Sequence, residues 1–165
     1  DMGGLKPVAE PEKIDLTVVG TQGPLDLGIV DVFRKAKLKI VGPTRAAARI
    51  ETSKVFSKEL MRRHRIPTAA ASTFESLAPA LAHVERQPLP IVVKADGLAE
   101  GKGVVVAKTG EEAADACVAM MEKNVFGDAG NRIVIEEFLD GQEVTVMAFT
   151  DGRTVVPMVA AWLVD

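Results

Sequence analysis

Tyrosine is absent from the 165-residue chain, and aromatic residues make up only 4% of it. Proteins that grip single-stranded nucleic acid stack bases on aromatic rings, so that mode of binding has little to work with. A single cysteine, Cys117, excludes an internal disulfide. It lies among Ala114, Val118 and Met121 at helical spacing, the pattern of a buried helix face rather than of a nucleophile. His64 and His83 stand apart from any cysteine or carboxylate cluster with metal-ligand spacing, which excludes a zinc site and places both on helix surfaces. No apolar run approaches the roughly 18 residues of a membrane span. The N-terminal stretch also lacks the basic and apolar signature of a secretory signal. These absences lead to the expectation of a cytoplasmic protein with neither a membrane nor a nucleic-acid partner.

What is present begins with apolar content. At 47% hydrophobic the chain has enough material to bury a core in one or two small domains. The formal net charge of −3 hides an asymmetry. Residues 1–65 carry 13 Lys and Arg against 8 Asp and Glu, a balance of +5, and residues 66–165 carry 7 against 15, a balance of −8. The basic excess is densest between Arg45 and Arg65, where it suits either a phosphorylated ligand or a solvated helix face.

The segment PIVVKADGLAEGKGVVVAK, residues 90–108, sets two valine-rich runs around a glycine-rich turn carrying Lys94 and Lys102. Glycines at 97, 101 and 103 remove Cβ atoms and permit positive φ, so backbone N–H groups could close on phosphate oxygens while lysines supply charge. It is not a P-loop. The first gap is one residue short, Gly103 stands where a magnesium-binding Ser or Thr is needed, and Val104, Val105 and Val106 favour a strand over the required helix. Alone, such a hairpin also suits a plain flexible turn.

A second motif, RIVIEEFLDGQEVTVMAF, starts at Arg132. An extended segment leaving a sheet presents a backbone C=O and N–H that match an adenine edge, and a carboxylate a few residues on can accept from ribose hydroxyls. Alone it also reads as a strand, an Asp140-Gly141 turn and a strand with solvated acids.

Residues 14–19 and 38–41 read as strands flanking a helix whose Leu25, Ile29, Val32 and Ala36 share a face, a β-α-β unit with a right-handed crossover. Ligands gather beyond the carboxyl ends of such strands, near Gly20 and Gly42. Pro43-Thr44 opens a helical stretch whose second half, from Ser53, buries Val55, Phe56 and Leu60 and stops at Pro67. Lys54, at that helix start, would join backbone N–H groups in favouring an anion. Thr109 and Glu112 form a capping box for a helix running to about Lys123. Strands are expected at 91–95, 103–107, 133–137, 143–149 and 154–158.

In this order the two motifs resemble the ATP-grasp superfamily, and within it the glycinamide ribonucleotide synthetases, the phosphoribosylamine–glycine ligases of purine biosynthesis. The resemblance extends to KIDLTVVG at 13–20, GIVDVFRKAKLKIVGPT at 28–44, SKVFSKELMRRHRIPTA at 53–69 and FGDAGNRIVIEEFLDGQEV at 126–144. It implies an α/β fold: the remainder of a parallel-sheet, substrate-binding domain over 1–45, connecting helices over 46–67, an ATP-grasp lid over 68–138 and the start of the central sheet over 139–165. It implies ATP contacts by Lys54, by Lys94 on the α-phosphate and adenine side, and by Gly97, Leu98, Gly101, Lys102 and Gly103 over the outer phosphates. Glu136 and Glu137 would sit at the adenine amino group, Leu139 would offer its N–H to the ring, Phe138 would belong to the same ATP site and Glu143 would bind the ribose. Gly20, Gly42, Pro43 and Thr44 are its candidate substrate-binding residues. The implied partners are glycine and phosphoribosylamine, joined through an acyl phosphate by positioning and charge neutralisation, with lysines and magnesium and no protein nucleophile.

The sequence departs from the family in places. Thr21 and Gln22 replace a usual Pro-Glu pair, removing a carboxylate expected near the sugar amine. After Met158 it reads VAAWLVD, without the family's continuation, so the magnesium ligands are expected outside these residues, as is the family's amino-terminal phosphate loop. A non-catalytic nucleotide-binding piece of such a ligase, or another ATP-grasp ligase, is the alternative reading. An unpaired sheet edge and apolar face around Val155, Val156 and Trp162 lead to an expectation of self-association.

Overall fold

The computed structural model describes residues 14–99 and 101–162. Strands β1 (Thr17–Val18) and β2 (Ile40–Val41) pair in parallel, with Thr17 opposite Ile40 and Val18 opposite Val41. Between them lie α1 (Gln22–Asp26) and α2 (Ile29–Lys35). The continuous apolar face expected from Leu25 to Ala36 is broken at Gly28, whose φ of 85° separates the two helices. The break resets the helical phase. Leu25, Ile29, Val30 and Phe33 enter the core with Ala48, whereas Val32 and Ala36 are only half-buried.

Helices α3 (Arg45–Thr52) and α4 (Lys54–His64) meet at one residue, Ser53, whose extended backbone ends the first and caps the second. The Thr44 hydroxyl accepts from the Ala47 N–H at 3.3 Å, and the Ser53 hydroxyl accepts from the Phe56 N–H at 3.2 Å. Both satisfy N–H groups that the first helical turn cannot. Arg65, with φ 56°, ends α4 before Pro67. Of the apolar residues expected to be buried here, Val55 is, while Phe56 and Leu60 are half-buried.

The second layer is a four-stranded antiparallel sheet in the order β3-β6-β4-β5. Its strands are β3 (Ala71–Phe74), β4 (Ile91–Ala95), β5 (Val104–Ala107) and β6 (Ile133–Glu137). Strand β3 is not evident in the sequence, because ASTF lacks an apolar period. It forms through backbone pairing along β6 instead of burial. Helices α5 (Leu77–Val84) and α6 (Gly110–Met121) cover one sheet face, where Ile91, Val93, Ile133 and Ile135 pack on Ala80, Val84, Ala113, Cys117 and Met120. Burial pushes the Cys117 thiol up to about 11, as suits an inert core residue. The Thr109–Glu112 capping box is present, and α6 ends at Met121.

His64 is exposed, but His83 is half-buried, its ring tilted 5.0 Å from Phe74. Burial, and then Arg86, hold its pKa below the ordinary 6.5. The long strands expected after Glu143 are instead short. β7 (Val144–Thr145) pairs with β10 (Ala161–Trp162), and β8 (Ala148–Thr150) with β9 (Val155–Pro157). Residues 144–161 are exposed throughout, so no packed layer supports a longer ladder. No helix among the described residues is long and apolar enough to cross a membrane.

The 3₁₀ turn Gly127–Gly130 brings backbone against the end of α6: a Cβ on Gly130 would stand 2.2 Å from the Met120 carbonyl oxygen. Gly130→Ala is therefore expected to cost about 1–3 kcal/mol, as overpacking does. Gly110→Ala, with nothing within 4 Å of the added carbon, should instead be neutral or add a few tenths of a kcal/mol. Urea denaturation of both variants checks the contrast, and equal midpoints would contradict it.

Candidate functional site

Alternation along a strand sends Lys94 and Glu136 to the sheet face opposite α5 and α6. Val92 faces Glu136 and Lys94 faces Val134, which makes Lys94 and Glu136 diagonal neighbours on that face. Their side chains meet at 3.2 Å, Nζ to Oε2. From α4, the Lys58 Nζ reaches the same carboxylate oxygen, also at 3.2 Å. It donates as well to the Thr68 hydroxyl and the Ala69 carbonyl, both at 2.8 Å. Lys58 thus makes two hydrogen bonds and an ion pair to protein groups, and the buried Glu136 is held from two sides. Lys58 was not singled out in the sequence, where it is one charge of a basic helix.

Lys54, Lys58, Lys94 and Glu136 line a cleft of about 330 Å³, walled on its apolar side by Ile50, Met61 and Leu139. Three ammonium groups against one carboxylate suit an anion, and the apolar wall suits a flat ring. The Lys54 ammonium donates to the Gly97 carbonyl at 3.1 Å. Burial lowers its pKa from the ordinary 10.5, against the opposing pull of Asp96, with Lys94 adding to the lowering and Glu136 resisting it.

One expectation about Lys54 needs correcting. The N-terminus of α4 is not an open anion cradle, because Asp96 occupies it. Its carbonyl accepts from the Lys54 N–H at 3.1 Å, and its Oδ1 accepts from the Val55 N–H at 2.8 Å and the Ser53 hydroxyl at 2.9 Å. Oδ2 accepts from the Arg132 guanidinium at 2.6 Å. Asp96 was missed in the sequence because Asp-Gly after a strand reads as turn chemistry.

The glycine-rich loop also differs in detail. Of Gly97, Gly101 and Gly103, only Gly101 has positive φ, at 78°. The other two serve close approach: a Cβ on Gly97 would lie 2.9 Å from the Ala129 Cβ, and one on Gly103 2.6 Å from the Ala99 Cβ. Gly97 and Leu98 line a neighbouring cleft with Asp96 and Asp128, while Gly101 and Lys102 are exposed at the loop tip and Gly103 is buried at its base.

Among the adenine-side residues, Glu136 and Leu139 reach the lysine cleft. Glu137 alternates to the other sheet face, where its carboxylate accepts from the Ala70 N–H at 2.8 Å. Phe138 and Glu143 are exposed and do not line the lysine cleft. Gly20 and Gly42 follow adjacent parallel strands at the same end, but Gly42 packs on Leu25 and Val30, and the Thr44 hydroxyl is taken by its helix cap. The large cleft beside these elements, about 790 Å³, is lined instead by Asp26, Asp31, Arg45, Arg49, Asp96 and Arg132 among others. Gln22 donates its side-chain amide to the Glu51 carboxylate. Among the described residues no group of three or more His, Cys, Asp or Glu side chains is placed to hold a metal ion.

The fold and this site define a class. The chain superposes on the biotin carboxylase–beta-gamma-ATP complex from Campylobacter jejuni with a TM-score of 0.78 over 95% of its length and 36% of that chain, at 20% identity, a likeness of fold alone. Residues 52–162 match the ATP-grasp (A) domain of phosphoribosylglycinamide synthetase, and residues 1–51 match its N domain. The chain belongs to the phosphoribosylglycinamide synthetase family. It is 55% identical to the phosphoribosylamine–glycine ligase of Vibrio parahaemolyticus over 96% of its own length and 37% of that protein's. It matches the crystal structure of the Thermotoga maritima phosphoribosylamine–glycine ligase with a TM-score of 0.65 at 33% identity, over 74% of this chain and 31% of that one. The chain thus spans little more than a third of the curated relative.

Because Lys58 fixes Glu136, the Thr68 hydroxyl and the Ala69 carbonyl, Lys58→Met is expected to lower stability by about 1–3 kcal/mol by leaving buried acceptors short of donors. Adding Glu136→Gln should recover part of that loss. Chemical denaturation of the single and double variants measures the coupling, and strictly additive effects would argue against the pairing.

Proposed function

We propose that this chain supplies the ATP site of a phosphoribosylamine–glycine ligase. That ligase activates the glycine carboxylate as glycyl phosphate and joins it to 5-phosphoribosylamine, giving glycinamide ribonucleotide, ADP and phosphate in the cytoplasmic pathway of purine biosynthesis. The observation that carries this reading is the convergence of Lys54, Lys58 and Lys94 around Glu136 beside an apolar wall. In this reading the Lys54 and Lys94 ammonium groups meet the phosphates, the Glu136 carboxylate accepts from the adenine amino group and the Leu139 N–H is offered to the ring. Gly97, Leu98, Gly101, Lys102 and Gly103 form the loop over the outer phosphates, and Glu143 takes the ribose once nucleotide draws its segment in. Residues 1–45 belong to the substrate side with Gly20, Gly42, Pro43 and Thr44, residues 46–67 connect, 68–138 form the lid and 139–165 begin the central sheet.

Nothing in this chemistry needs a protein nucleophile. The lysines neutralise charge as the phosphoryl group moves to the glycine carboxylate, and the site's contribution is alignment and electrostatics. The described residues offer no carboxylate cluster that fits magnesium.

Thermal unfolding with and without Mg-ATP tests the reading. Ligand at about 100 times its dissociation constant should add roughly 2.7 kcal/mol to stability, and Lys94→Ala should abolish the shift. A cooperative transition that ATP does not move would overturn the proposal.

We also propose that the chain self-associates through its last strands. Val146, Phe149, Val155 and Val156 are each more than half exposed, and the paired strands β8 and β9 have no further strand beside them among the described residues. Light scattering should show a mass that rises with protein concentration, and a constant monomer mass would refute this.

A further inference from the structure

We propose that Asp96 is a positioning residue of the nucleotide site, holding the Lys54 ammonium in place at the root of the glycine-rich loop. This rests on the ATP-binding reading above and goes beyond it, because Asp96 does not line the lysine cleft and need touch no ligand.

Three elements converge on Asp96. The residue directly follows the inner strand β4 and precedes Gly97, the first glycine of the loop. Its Oδ1 holds Ser53 and Val55, the residues on either side of Lys54, and its carbonyl takes the Lys54 N–H itself. Its Oδ2 holds Arg132, and its N–H donates to the Arg132 carbonyl at 3.0 Å, which ties in the entry to β6. Asp96 is only 6% exposed, so these charge-assisted bonds are shielded from water.

The consequence falls on Lys54. Both of its backbone neighbours are pinned to one carboxylate, and its own ammonium reaches the carbonyl of the residue following that carboxylate. Lys54 is thereby fixed relative to the loop, although 43 residues separate them in sequence. Asp96 also fills the positive end of α4, which leaves the Lys54 side chain, and not the helix N-terminus, as the group available to an incoming phosphate.

An amide at position 96 reproduces the shape but supplies one acceptor oxygen where the carboxylate supplies two, so Asp96→Asn must release either the α4 side or Arg132. The experiment measures affinity of the whole chain for ATP and for adenosine by calorimetry in wild type, Asp96→Asn, Lys54→Met and the double variant. Ser53→Ala is a milder second perturbation of the same tether. Asp96→Asn is expected to weaken ATP by about tenfold, equivalent to ~1.4 kcal/mol, and to leave adenosine nearly unchanged. In the Lys54→Met background the same change should have little further effect on ATP. Ser53→Ala should weaken ATP less, with the same indifference to adenosine.

Wild-type affinity for ATP in both Asp96→Asn and Ser53→Ala would overturn the inference alone. So would equal losses for ATP and adenosine, or an undiminished effect without Lys54, because a merely structural carboxylate behaves that way. Failure of the unaltered chain to bind ATP would overturn the functional reading and this inference with it.

Discussion

The buried carboxylate of Asp96 is the interaction on which the rest of the arrangement depends. A carboxylate removed from water is unfavourable unless its lone pairs are met, and here a hydroxyl, a backbone N–H and a guanidinium meet them. Those donors belong to the start of α4 and the approach to β6, so satisfying one side chain fixes where a helix and a strand must lie. The lysine cleft is assembled downstream of that requirement. Lys54 and Lys58 are neighbouring turns of α4, and Lys94 and Glu136 come from adjacent strands; only a fixed α4 brings them together.

The cleft obeys a second constraint of the same kind. Glu136 is buried among three lysines, and two of them share one of its oxygens. Lys58 is tied to three protein groups by two hydrogen bonds and an ion pair, whereas Lys94 is partly open to solvent. One lysine is therefore part of the scaffold, and the other can exchange its partner. Burial of Lys54 lowers its pKa while Asp96 opposes that shift, so an anion already in the fold favours the charged form.

Much of this was legible from local pattern. Strands β4 and β6 announced themselves as apolar runs, the buried Cys117 followed from helical spacing, and the Thr109–Glu112 box from its capping signature. Lys54, Lys94, Glu136 and Leu139, which line one cleft, are singled out by resemblance to a family and not by local pattern. What stayed hidden depends on distant partners. Asp96 looks like a turn residue until Ser53, Val55 and Arg132 are placed around it. β3 is visible only as a backbone partner of β6. The roles of Gly97 and Gly103 follow from Ala129 and Ala99 pressing on them, not from their own torsions. The phase reset in the first helical region turned on the torsion of Gly28, which the apolar period alone does not reveal.

The single-residue joint at Ser53 has a mechanical consequence. The segments matching the N domain and the ATP-grasp domain abut at residues 51 and 52, with no slack chain between them. The residue that turns the corner is itself bonded to Asp96, which directly follows the inner strand β4. Such an elbow cannot swing freely. Rotation of the first helical region would strain the Ser53 hydroxyl's bond to Asp96, at the strand end that begins the glycine-rich loop.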